Sequence, residues 1–152
     1  MAGRGQDGAA AAPLVLCGIM PAMITPLPCP CGQATTYAAC CGRWHDGPLQ
    51  GLAPNAAALM RSRYSAFVLE RADYLLATWH PSKRPARIEF EAGLRWLGLT
   101  VQRCGQQDED HATVHFVARS KLAGRASRLV ETSRFVRETG RWWYVAGDQA
   151  AP

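Results

Sequence analysis

The sequence contains no uninterrupted apolar run approaching the roughly 20 residues that a membrane-spanning helix needs, so a protein threaded through a bilayer by helices is not expected. It also lacks a Lys/Arg block. The net charge of +5 is spread from Arg61 to Arg141, which describes a mildly basic surface and not a polybasic tail. A solvated face explains that charge most simply; contact with nucleic acid or a ribosome is the functional alternative. No stretch carries the nucleophile, metal-water or phosphate-loop signature that would name a reaction. At 152 residues, half of them hydrophobic or nearly so, the chain has room for one domain with a real core and a small satellite.

Export is not expected either. "MAGRGQDGAAAAPLVLCGIMPAMITPLP" opens with one arginine, gains Asp7, and breaks its short apolar run at Pro13. Leu16 stands before Cys17, where a lipoprotein signal needs a small residue. Residues 1–28 are rich in Ala, Gly and Pro without helical or strand period, and are expected to be disordered, with Met20 or Met23 as alternative starts. The expected compartment is therefore the cytoplasm, where thiols stay reduced.

Against these absences stands "CPCGQATTYAACCG", residues 29–42, which holds four of the six cysteines. Disulfides between immediate neighbours would be strained, and pairing across the two ends needs an oxidising compartment. In a reducing one, Cys29, Cys31, Cys40 and Cys41 read as ligands of a metal ion. Zinc fits best: a tetrahedral ion about 2.3 Å from four sulfurs needs two ligand pairs closed by tight turns, and Pro28, Pro30, Gly32 and Gly42 supply them. An iron-sulfur cluster would use the same donors. Four thiolates leave no open coordination position, so the site is structural. Metal binding would supply folding free energy on the order of 10 kcal/mol to a segment with almost no core of its own. His45 is the one residue placed to replace a thiolate; Cys17 and Cys104 lie outside the set.

Further on, residues 53–82 read as helix, break, helix. Asn55 is a suitable N-cap, and Ala57, Met60, Tyr64 and Phe67 recur at helical spacing as a core-facing stripe, with Arg63 on its flank. Asp73 can cap a second short helix carrying Tyr74, Leu75, Leu76 and Trp79, ended by Pro81. From Trp96 the period changes to two. "WLGLTVQRC", "HATVHFVARS", "ASRLVETSRFVRE" and "RWWYVAG" read as four antiparallel strands, with turns at "DED", Gly124 and Thr139–Gly140. Helices followed by a meander predict an α+β domain whose curved antiparallel sheet packs on helices.

The cysteine stretch resembles the SEC-C motif, the small zinc module at the carboxyl tail of the SecA translocase. Here "GQATT" stands where a Gly-Ser-Gly-Lys stretch commonly follows the second cysteine, so the basic residue is absent while the ligand set is intact. "LMRSRYSAFVLERADYLLATWHP", "WLGLTV", "FVAR", "ETSRF" and "RWWYV" resemble the YchJ-like family of small SEC-C proteins. That resemblance implies a nuclear-transport-factor-two-like cone over residues 53–149 behind a zinc module at 29–46. It also implies contact with ribosomes or with the secretion machinery and its chaperone.

A cone of this kind encloses a pocket, marked by polar residues on otherwise apolar faces: Arg63, Tyr64, His80, Glu131, Arg134 and Trp143. Glu131 shares a strand face with Leu129 and Phe135, and as a buried carboxylate it could act as a base with His80 as acid partner. Pairing of Glu131 with Arg134 or another arginine as a structural link explains the same residues. Trp142, Trp143 and Tyr144 beside Arg141 could stack bases, but a strand divides them between its two faces. The favoured expectation is a zinc-binding, non-enzymatic adaptor with room for a peptide or small ligand in its cone. The alternative is an isomerase or hydrolase of acid-base type.

Overall fold

The structure is a computed structural model that describes residues 25–150. The expected disorder of residues 1–24, the alternative starts and Cys17 lie outside the described residues. Pro28 already belongs to the cysteine module, since it bridges Thr36, and the Leu27 carbonyl accepts from the Tyr37 amide at 2.9 Å.

After the cysteine loop come a short helix α1 (Gly42–His45) and one 3₁₀ turn (Gly47–Leu49). Helix α2 (Ala56–Val68) starts where the Asn55 side chain accepts from the Ala58 amide at 2.8 Å, a cap contributing about 1 kcal/mol. It stops at Glu70, which takes a left-handed φ of 53° so that the Arg71 amide can reach back to the Ala66 carbonyl at 2.8 Å. Helix α3 (Ala72–Ala77) is shorter than the sequence pattern predicts. Asp73 is not its cap but sits in its first turn, paired with Arg71, and Trp79 has already left the helix to bridge Tyr144.

Four strands follow: β1 (Arg95–Gln106), β2 (His111–Leu122), β3 (Arg125–Glu138) and β4 (Arg141–Gln149), all antiparallel and in the order β1-β2-β3-β4. Two hairpins turn on residue pairs with positive φ, Ala123–Gly124 and Thr139–Gly140, the turn geometry whose twist matches that of the strands. Bulges interrupt β1 between Trp96 and Gly98 and between Val101 and Arg103, and another lies on β4, where Val145 is the extra residue opposite Arg134 and Phe135. Each bends its strand. Helix α2 touches β1, β2 and β4, which one helix can do only if the sheet curves around it.

The inward face of β2 presents Ala112, Val114, Phe116 and Ala118, which pack with Leu99, Phe135 and Trp142 against Leu59, Met60 and Tyr64 of α2. Burying Leu59 completely contributes roughly 1.5–3 kcal/mol. The helix is buried over more of its circumference than a single stripe: Ser62, Arg63, Ser65 and Ala66 are also covered, whereas Ala57 is half-buried. One side faces the sheet, and the other faces α3 and the cysteine loop. Cys29, Cys31 and Cys41 belong to the same core cluster, so the module is docked on the domain and not a free satellite. No helix among the described residues is long and apolar enough to cross a membrane.

Candidate functional site

Two tight turns bring the thiols together. In the first, the Cys29 amide donates to Thr35 and the Gly32 amide to Cys29, with Gly32 at φ 85°, a conformation side chains other than glycine rarely adopt. In the second, the Cys40 and Gly42 amides both reach the Tyr37 carbonyl, at 3.0 and 2.8 Å. A Cβ at Gly42 would stand 2.7 Å from that carbonyl oxygen, so only glycine fits. Cys41 is the N-cap of α1 and already helical, which aims it and Cys40 at one point from adjacent positions.

The four Sγ atoms lie within 4.8 Å of one another, with Cys31 and Cys40 at 3.6 Å and Cys40 and Cys41 at 4.0 Å. Four sulfurs placed tetrahedrally at about 2.3 Å from an ion have edges of about 3.8 Å, so the donor set fits a metal of that kind. Without a cation the cluster tolerates little charge. Hydrogen bonding from Cys41 pulls the Cys31 thiol down to about 5 against its own burial, with the Gln33 amide assisting. The bond to Cys31 and burial push Cys41 far up, and burial pushes Cys40 up to about 11. One thiolate is held by its neighbours' S–H groups; four require a bound cation. Cys29 and Cys31 from the first turn and Cys40 and Cys41 from the second would hold that cation, which would join the two turns and supply no reacting group.

His45 is not a ligand. Its Nε2 lies 2.7 Å from the Ser62 carbonyl, which can only accept, so Nε2 carries the proton and Nδ1 accepts from the Tyr37 hydroxyl at 2.6 Å. The ring is fully buried, and burial lowers its pKa, so it is neutral. Arg61 donates to the Cys31 carbonyl at 3.1 Å, and Ser65 Oγ lies 3.7 Å from Cys29 Sγ. Ser62, Ser65, Tyr37 and His45 are thus the residues that fix the module in place.

Between α2 and the inner face of the sheet is a cavity of about 220 Å³. Arg63, Tyr64 and Glu131 all line it. Arg63 is neither on a lip nor in water: it is 3 % exposed, its Nη1 donates to the Leu75 carbonyl and Thr78 Oγ1, both at 2.8 Å, and its guanidinium lies 4.2 Å from the Tyr144 ring centre and 5.1 Å from that of Trp79. Burial lowers its pKa to about 10, so it stays charged at neutral pH. Glu131 accepts from Ser133 Oγ at 3.0 Å. Its carboxylate fills the space over Gly147, where a Cβ would overlap it. Burial, followed by the Glu131 charge, pushes the Tyr144 hydroxyl up.

The other three candidates lie elsewhere. His80 bonds Ser82 Oγ at 2.6 Å and Glu138 at 2.9 Å, so it does not meet Glu131 and cannot be its acid partner. Arg134 projects from the opposite face of β3 and pairs with Asp148; the arginine sharing the cavity with Glu131 is Arg63. Trp143 lies under Arg141, 4.2 Å from the ring centre, while Trp142 is core and Tyr144 faces the cavity. Base stacking on β4 is thereby reduced to one ring that already carries an arginine. Ser133 and Gly147, paired across β3 and β4, escaped the sequence reading although the alternation Leu129, Glu131, Ser133 places Ser133 inward.

The family described as YchJ, middle NTF2-like domain, matches residues 55–147. A UPF0225 protein of Bordetella parapertussis is 58% identical over 125 residues, 82% of this chain and 94% of the relative; one of Methylibium petroleiphilum is 60% identical over 128 residues, 84% and 92%. The solution structure of a SEC-C motif containing protein from Rhodopseudomonas palustris superposes with a TM-score of 0.70 at 30% identity, covering 81% of this chain and 98% of that one. The crystal structure of a SEC-C motif containing protein from Psychrobacter arcticus gives 0.66 at 27% identity, with 85% of each covered. The curved four-stranded sheet, the helix it wraps and the four-cysteine cluster agree with these likenesses, and the chain belongs to the YchJ-like family of UPF0225 proteins, with an NTF2-like domain.

Proposed function

We propose that this protein is a zinc-stapled, non-enzymatic adaptor of the cytoplasm whose cysteine module docks on the ribosome. Zinc is assigned to Cys29, Cys31, Cys40 and Cys41 because a closed all-thiolate tetrahedron suits it. The observation that carries the docking reading is the groove beside the thiols. It is lined by Cys40, Trp44 and two arginines, Arg43 and Arg61. Arg43 is exposed and lies 4.8 Å over the Trp44 ring, a cation open to an anionic surface. With a net charge of +5, the chain favours a partner of opposite sign.

The acid-base enzyme reading has lost its proposed acid, since His80 and Glu131 sit in separate hydrogen-bond systems. The test is co-sedimentation of the zinc-loaded protein with ribosomes at increasing salt. Binding that weakens with salt and falls at least tenfold in Arg43→Glu, with metal content unchanged, supports the proposal. Absence of co-sedimentation at low salt overturns it and turns attention to the secretion machinery and its chaperone.

A further inference from the structure

The cavity behind the sheet is lined by a basic and an acidic side chain that make no close pair. Arg63 and Glu131 both line it, yet they form no ion pair among the described residues. Arg63 spends only Nη1 on the protein. Arg141 Nε is the one sealed side-chain nitrogen or oxygen without a partner among the described residues, so Nε and Nη2 of Arg63, which also bond nothing, must open onto the cavity. On the other side Ser133 donates to Oε1 of Glu131, whose carboxylate faces the cavity beside the Tyr144 hydroxyl. Aromatic walls from Trp79, Trp96, Phe116 and Tyr144 surround these groups.

A buried guanidinium with two donors unspent is costly unless something accepts from them. The Nε–Nη2 edge of an arginine is the fork that matches a carboxylate in two parallel bonds. At 220 Å³ the space holds on the order of seven waters, or a molecule of about ten non-hydrogen atoms.

We propose that this cavity binds a small organic carboxylate of about ten non-hydrogen atoms, its carboxylate on Arg63 and a hydrogen-bond donor at its far end on Glu131. The Tyr144 and Trp79 rings, set edge to face, both lie against the guanidinium, and Gly147 leaves the room in which the Glu131 carboxylate lies. The site is independent of ribosome docking, which uses the far side of α2.

The experiment is calorimetric titration of the zinc-loaded protein with 4-hydroxybenzoate and 6-hydroxyhexanoate, each against its neutral carboxamide, with benzoate as the acid lacking a donor. At least one hydroxy acid is expected to bind, with its carboxamide and benzoate weaker by roughly tenfold or more, the loss typical of a bond to a charged group. Glu131→Gln, which keeps the side-chain shape and the bond from Ser133, should weaken the hydroxy acid and leave benzoate unchanged. The indole N–H resonances of Trp79 and Trp96 report whether binding is in the cavity, which separates the result from any effect of Arg63 variants on folding. No binding of either hydroxy acid at 10-fold the protein concentration up to millimolar levels, equal binding of the carboxamides, or binding that leaves both indoles unmoved overturns the proposal.

Discussion

The imidazole of His45 and the backbone carbonyl of Ser62 are joined by a 2.7 Å hydrogen bond that links the cysteine module to the middle of α2. Removing the ring strands the Tyr37 hydroxyl and leaves that carbonyl with one partner fewer in a buried place. His45→Ala should therefore destabilise the metal-loaded protein by about 2–4 kcal/mol in chemical denaturation while the metal content stays at the wild-type value. Loss of metal in that variant would mean that His45 takes part in ligation.

Burial of the same ring sets a pH dependence, which the bond to Ser62 opposes without cancelling. Burial depresses the pKa of His45 in the folded chain below its ordinary value near 6.5, so between the two values the unfolded chain binds more protons. The stability contributed by neutral His45 is complete above about 6.5 and is lost as pH falls toward the folded value. Comparing wild type with His45→Gln isolates this part, since both carry the same thiols. Their stability difference should shrink between pH 7.5 and pH 5; a difference independent of pH would contradict a buried neutral ring.

Gly147 and Glu131 should be coupled. A methyl group at position 147 overlaps the carboxylate, so Gly147→Ala in the wild type should cost about 1–3 kcal/mol. In a Glu131→Ala background the obstacle is gone, and the same substitution should cost less by at least 0.5 kcal/mol, roughly the lower limit for residues in contact. A double-mutant cycle measures this, and additive costs would contradict the placement of Glu131.

Arg63 braces the end of α3. Replacing it with Met removes the donors to Leu75 and Thr78 together with the stacking on Tyr144, and should destabilise by about 2–4 kcal/mol. Arg63→Lys should recover little, because an ammonium cannot both stack flat and donate sideways. Equal stability of the Lys variant and wild type, by thermal unfolding, would refute the planar role.

Much of this molecule can be read from its residues. Strand alternation and the turn pairs at Ala123–Gly124 and Thr139–Gly140 carry the meander, and strict alternation places Glu131 inward and, three residues on, Arg134 outward. The spacing of the thiols carries the metal set. Docking of the module on α2 was hidden because its contacts are Ser62 and Ser65, residues that read as solvent-facing on a helix whose apolar stripe lies elsewhere. Burial of Arg63 was equally hidden: its acceptors are a backbone carbonyl of α3 and Thr78, and a carbonyl leaves no mark in a side-chain pattern. His80 appeared near the pocket by its place after α3, but the bridge from Trp79 to Tyr144 carries it past the mouth to Glu138.

The metal centre is tested most directly by elemental analysis of protein purified under reducing conditions without added metal, combined with counting of reactive thiols. One zinc per chain, with Cys29, Cys31, Cys40 and Cys41 protected until a chelator is added and α2 loosened afterwards, is the predicted result. Metal-free protein with those four thiols reactive from the outset, and a fold unchanged by chelator, would contradict the account.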